Sequence, residues 1–81
     1  MKVLMDPIET IVRFKGGIPT PVRFRHKDQV VNIDRIIGIR DEKLVGNPVK
    51  VYQCQSEVYG RVVRYELRFE LHTCKWFLYK M

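Results

Sequence analysis

This 81-residue sequence predicts an all-β domain: five or six antiparallel strands in a meander, forming a small curved sheet or a partly open SH3-like barrel. Three observations predict it. Val63, Tyr65, Leu67, Phe69 and Leu71 alternate at period two with Arg64, Glu66, Arg68 and Glu70. A second alternating run places Val22, Phe24 and His26 on one face and Arg23 and Arg25 on the other. Turn and loop residues punctuate the chain between such runs, at Gly16-Gly17, Lys27-Asp28, residues 41–46 and Gly60, and Asn47-Pro48 starts the strand after the loop.

The elements follow in order. Residues 1–7 are expected as a loose lead-in, and residues 8–81 as a single β domain. The first strand spans residues 8–15, with Ile11, Val12 and Phe14, and ends at Gly16-Gly17. Pro19 and Pro21 keep the next stretch extended at a strand start, where missing donors are tolerated. The second strand covers residues 20–26, and Lys27-Asp28 serves as a two-residue turn. A third strand covers residues 29–39, with Val31 and Ile33 inward. Ile36-Ile37 breaks its alternation, which calls for a β-bulge near Arg35 or a short helical turn. Residues 41–46 read as a polar loop.

The strand over residues 49–55 is apolar on both parities, Val49 and Val51 against Tyr52 and Cys54, so its inner face is open. Residues 56–60 form the next turn, with Gly60 left-handed. Residues 62–81 make the closing hairpin, whose charged stripe is expected to lie on a wet face. Pairing Phe69 with Leu78 and Leu71 with Trp76 puts all four on the core face. Arg68 then faces Tyr79, and Glu70 faces Phe77. A slip by one residue would turn the core face to water, whereas a slip by two keeps the parity. Phe77 and Tyr79 lie opposite Trp76. They must be covered by another segment, covered by a partner, or left exposed.

Composition narrows the functions. A chain this short has a thin core, so most of its aromatic residues are needed there, and little is left for base stacking. No apolar run approaches a membrane span, and residues 1–5 are too short for a signal-peptide core. Cys54 and Cys74 are too few for a disulfide framework, which predicts free thiols in a cytoplasmic protein. The only serine is Ser56, without a nucleophile elbow. His72 and Cys74 sit together at a hairpin tip and read as turn residues. A closed zinc site would need His26, Cys54, His72 and Cys74 all to converge. Asp41-Glu42 reads as a solvated pair, and Gly16-Gly17 lacks the rest of a phosphate loop. The sequence therefore points to a non-enzymatic module with no metal, cofactor or small-molecule substrate.

The formal net charge is +6, concentrated in the first third. Arg13, Lys15, Arg23, Arg25 and Lys27 occur between residues 10 and 27 with no acid among them. Between residues 28 and 42 the balance reverses, with Asp28, Asp34, Asp41 and Glu42 against Arg35 and Arg40. These five basic residues are the candidate contacts for a nucleic-acid backbone, bound weakly and without sequence preference. The alternative is a protein-interaction module or homodimer, using an exposed strand edge with Phe77 and Tyr79.

The run Ile18-Pro19-Thr20-Pro21-Val22-Arg23-Phe24-Arg25-His26-Lys27 resembles the opening of a family of small uncharacterised bacterial β domains. The resemblance continues through Val31-x-Ile33, Val51-Tyr52-Gln53-Cys54, Tyr65-Glu66-Leu67 and Trp76-x-Leu78. The chain departs from that pattern at His26, where an aromatic is common, and at Asp28, where glycine is common. The resemblance implies that Tyr52 and Cys54 point inward. Some domains of that family accompany error-prone Y-family DNA polymerases, which implies a DNA-linked setting.

Overall fold

The computed structural model describes residues 2–81, and they form one curled antiparallel sheet, a half-barrel. Its strands are β1 (Val3–Lys15), β2 (Ile18–His26), β3 (Gln29–Asn32), β4 (Arg35–Leu44), β5 (Asn47–Val58), β6 (Arg61–Glu70) and β7 (Lys75–Lys80). The spatial order is β3-β2-β1-β7-β6-β5-β4. Strands adjacent in sequence are thus neighbours, apart from β3 and β4, which form the two edges. Backbone bonds between Lys2 and Met81 (3.0 and 3.1 Å) tie the ends of the described chain together beside β1 and β7.

Seven strands form rather than five or six, because the expected third strand changes partners midway. Ile33 N donates to Val22 O on β2 at 2.9 Å, and the next amide, Asp34 N, donates to Gln55 O on β5 at 3.1 Å. The chain therefore crosses from one edge of the sheet to the other within two residues. The expected irregularity lies just beyond, as a register shift between Ile36 and Gly38, with no helical turn.

Four two-residue turns drive the meander: Gly16-Gly17, Lys27-Asp28, Val45-Gly46 and Tyr59-Gly60. All eight residues have positive φ, the left-handed pair that matches the twist of the flanking strands. Two of these turns correct the expected boundaries. Residues 41–44 are strand rather than polar loop, because the charged run is accommodated along the sheet edge and Lys50 Nζ bonds Asp41 Oδ1 at 2.8 Å. Residues 56–58 continue β5 rather than turning. The expected lead-in is also strand from Val3 onward. It pairs with β7 as Val3↔Lys80 and Pro7↔Phe77, around an irregularity that holds Met5 at φ 52°.

The core consists of Phe24, Val31, Tyr52, Cys54, Tyr65, Leu67, Trp76 and Leu78. Trp76 stacks against Phe69 (centroids 4.7 Å) and Tyr52 (5.3 Å), while Tyr65 meets Phe24 edge-on at 5.4 Å. Ser56 Oγ donates to Asn32 O at 2.6 Å and lies 2.5 Å from the Tyr65 hydroxyl, and the Tyr52 hydroxyl donates to Pro19 O. These bonds satisfy buried polar groups and clasp β5 to β3 and β2 across the open side. Tyr52 and Cys54 do point inward. Val49 and Val51 are buried too, on the opposite face, which is why the hydropathy pattern of β5 left its inner side open.

The terminal hairpin keeps its parity and moves its register by two. Phe69 pairs with Trp76 and Leu67 with Leu78, so Arg68 opposes Phe77 and Glu70 opposes Lys75. The turn comes earlier than expected because Cys74 N donates to Glu70 O at 2.8 Å, with Cys74 at φ 58°, and Thr73 Oγ1 donates to Glu70 Oε1 at 2.9 Å. Leu71 consequently sits in the turn, exposed. The charged stripe is not uniformly wet either. Arg64 is exposed, but Glu66 and Arg68 are buried within a cluster that includes Arg40 and Glu42.

Candidate nucleic-acid interface

The β1–β2 ribbon carries the five basic residues singled out above. Arg23 and Arg25 project from the face of β2 opposite Phe24, whose ring is in the core. With Glu9 and Ile11 of β1 and Val30 of β3 they line a groove of about 470 Å³. Arg25 hydrogen-bonds Glu9, its cross-strand partner, and that bond raises the guanidinium pKa. Lys27 lies in the following turn and shares a hollow of about 410 Å³ with Arg25, Glu9 and Asp28. Arg13 and Lys15 stand at the other end of the ribbon, in a cleft of about 290 Å³. The structure thus distributes the five along one two-stranded element rather than gathering them at a point.

Arg35 joins Arg13 and Lys15 in that last cleft. Sequence reasoning missed it, because Arg35 sits among acids in the chain. The partner exchange at Ile33 and Asp34 is what brings it beside β1 and β2. The nearby Asp34 carboxylate is occupied, accepting from Glu57 N at 2.7 Å.

On β4 to β7 part of the charge is paired, while Lys43, Arg61, Arg64, Lys75 and Lys80 have no ion-pair partner among the described residues. Arg40 bonds Glu42 at 2.6 Å and Glu66 at 3.3 Å, and Arg68 lies 3.5 Å from Glu42 and 3.6 Å from Glu66. The hydrogen bond from Arg40, above all, lowers the Glu42 pKa. Across the β1–β2 ribbon the balance differs. Among the described residues, Arg13, Lys15, Arg23, Lys27 and Arg35 have no ion-pair partner within 4.0 Å, and only Arg25 has one. Coulomb attraction there is available to an external anion.

The aromatic residues divide more sharply than composition implied. Phe24, Tyr52, Tyr65 and Trp76 are buried, but Phe14 is 72% exposed and Tyr59 is 92% exposed. Phe77 and Tyr79, the residues of the protein-docking alternative, are half-buried on β7. The Arg68 guanidinium carbon lies 3.6 Å from the Tyr79 ring centroid, a cation–π contact that covers this ring.

Cys54 is buried and Cys74 exposed, both as free thiols. Among the described residues, no group of three or more His, Cys, Asp or Glu side chains is placed to hold a metal ion. Among the described residues, no helix is long and apolar enough to cross a membrane. No family model, curated protein or solved structure matches the chain.

Proposed function

We propose that the protein is a non-enzymatic accessory module that binds the backbone of nucleic acid, weakly and without sequence preference. Arg13, Lys15, Arg23, Arg25 and Lys27 make the contacts, and Arg35 joins them. The supporting observation is the segregation of charge. Glu42 and Glu66 are held by Arg40 and Arg68, while of the cations Arg13, Lys15, Arg23, Arg25, Lys27 and Arg35 on and beside the β1–β2 ribbon only Arg25 has an ion-pair partner. Phosphates satisfy such groups, position the ligand and carry no base information.

Fluorescence anisotropy with labelled oligonucleotides at low salt tests this reading. Combining Arg23→Ala with Arg25→Ala weakens binding to the same degree for every sequence. Absence of binding at tens of micromolar protein would end the proposal. Docking of another protein would then be the better reading, and the outer edge of β4, which pairs only with β5, is the feature that favours it.

A further inference from the structure

We propose that Phe14 is a stacking platform for an unpaired base, so that the ligand of the basic ribbon is single-stranded rather than duplex nucleic acid. This rests on the nucleic-acid reading above and adds the form of the ligand.

The placement of Phe14 carries the argument. Pairing between β1 and β7 stops at Ile8, and pairing between β2 and β3 starts at Arg23. Beyond those points no third strand pairs with β1 and β2, and β2 is held by the bonds from Ile33 N to Val22 O and from the Tyr52 hydroxyl to Pro19 O. Phe14 is near its tip, opposite Pro19, and the Gly16-Gly17 turn that follows is open, with no atom within 4 Å of either position where a Cβ would stand. A phenyl ring 72% exposed contributes little to a thin core. Its sequence neighbours, Arg13 and Lys15, project to the other side of the strand, into the cleft shared with Arg35. Ring and cations therefore occupy the two sides of one narrow ribbon. A flexible single strand can fold over such a tip, with phosphates on the cationic side and an unstacked base on the ring. A duplex keeps its bases stacked inside and offers the ring nothing.

Tyr59 supplies the contrast. It is more exposed than Phe14, but it lines a cleft of about 460 Å³ with Asp28, Asp34 and Glu57. No Lys or Arg lines that cleft, whereas Arg13, Lys15 and Arg35 line the one at the ribbon, although Asp34 borders both. The electrostatics thus single out Phe14 from the two exposed rings.

The test measures anisotropy of the full chain with a labelled oligothymidine and with a duplex of equal length, at low salt. Phe14→Ala should weaken oligothymidine binding by roughly five- to 150-fold. It should leave duplex binding, melting temperature and salt dependence unchanged, because a ring releases no counterions. Phe14→Tyr should bind oligothymidine like the wild type, and Tyr59→Ala should have no effect. Wild-type oligothymidine affinity in Phe14→Ala, alongside a weakened Arg23/Arg25 double variant, overturns the stacking platform and leaves backbone binding standing. Equal losses on both ligands also overturn it, since the ring would then be shaping the ribbon. A wild-type protein that binds neither ligand overturns the platform together with the function it rests on.

Discussion

Burial makes the two thiols chemically different. Cys54 is enclosed by the core, and the loss of water pushes its pKa from 9.0 up to about 12. Cys74 is exposed in the β6–β7 turn. In the native protein a thiol-labelling reagent at neutral pH should therefore modify Cys74 alone, and both cysteines should react in denaturant. Rapid native labelling of Cys54 would contradict its place in the core. The same burial predicts alkaline sensitivity. The unfolded chain releases the Cys54 proton near pH 9, whereas the folded protein holds it until about pH 12. The unfolded state then binds fewer protons, so stability should fall as pH rises between those values. Tyr52, pushed from 10.0 up to about 12 chiefly by burial, acts in the same direction. Melting temperature followed from neutral to alkaline pH checks the sign. Trp76 is the residue whose role was most legible in the sequence, and it is 7% exposed between Phe69 and Tyr52. Trp76→Ala should cost about 3–5 kcal/mol, against the roughly 5–15 kcal/mol that holds a domain together. A wild-type melting temperature in that variant would contradict the packing.

Strand β6 shows what a period-two pattern carries and what it does not. The parity of Tyr65, Leu67 and Phe69 was legible, because a one-residue slip would reverse every side chain. The register of β6 against β7 was not, because a two-residue slip keeps the same faces, and hydrogen bonds from Cys74 N and Thr73 Oγ1 to Glu70 decide it. Nor could the pattern separate Arg64 from Arg68. Arg64 reaches Gln55 Oε1 at 3.3 Å and remains exposed. Arg68 is 7% exposed, bound between Glu42, Glu66 and the Tyr79 ring. Removing Arg68 uncovers the Tyr79 ring and takes one cation from a cluster in which Arg40 still bonds Glu42 and Glu66, at a cost of about 1–3 kcal/mol, whereas an exposed substitution stays within about 0.5 kcal/mol. Urea titrations should therefore show Arg68→Ala destabilised and Arg64→Ala close to wild type. Equal midpoints would show that the cluster adds nothing to stability.

Across the whole molecule, the meander and the turns at Gly16-Gly17 and Lys27-Asp28 were legible in local sequence, Val45-Gly46 and Tyr59-Gly60 only as parts of longer expected loops, and the seam depends on non-local pairing. The partner exchange at Ile33 and Asp34 splits one expected strand into β3 and β4, and it also sets Arg35 beside Arg13 and Lys15. No spacing along the chain encodes that neighbour. The charge bias of the first third, by contrast, was legible as composition, and the fold turns it into a ribbon of unpaired cations. The salt response measures how many of them a ligand engages. Each neutralised phosphate on a single strand contributes a log–log slope of about −0.7, so three to five contacts predict roughly −2 to −3.5. Arg25 already has Glu9 as a partner, so a phosphate must compete for it, and Arg23→Ala should flatten the slope more than Arg25→Ala does. Arg35→Ala should flatten it as well, although Arg35 lies outside the basic third of the sequence. Phe77→Ala, on β7, should leave the slope unchanged. An Arg35→Ala slope identical to wild type would confine the interface to β1, β2 and the turn that follows them.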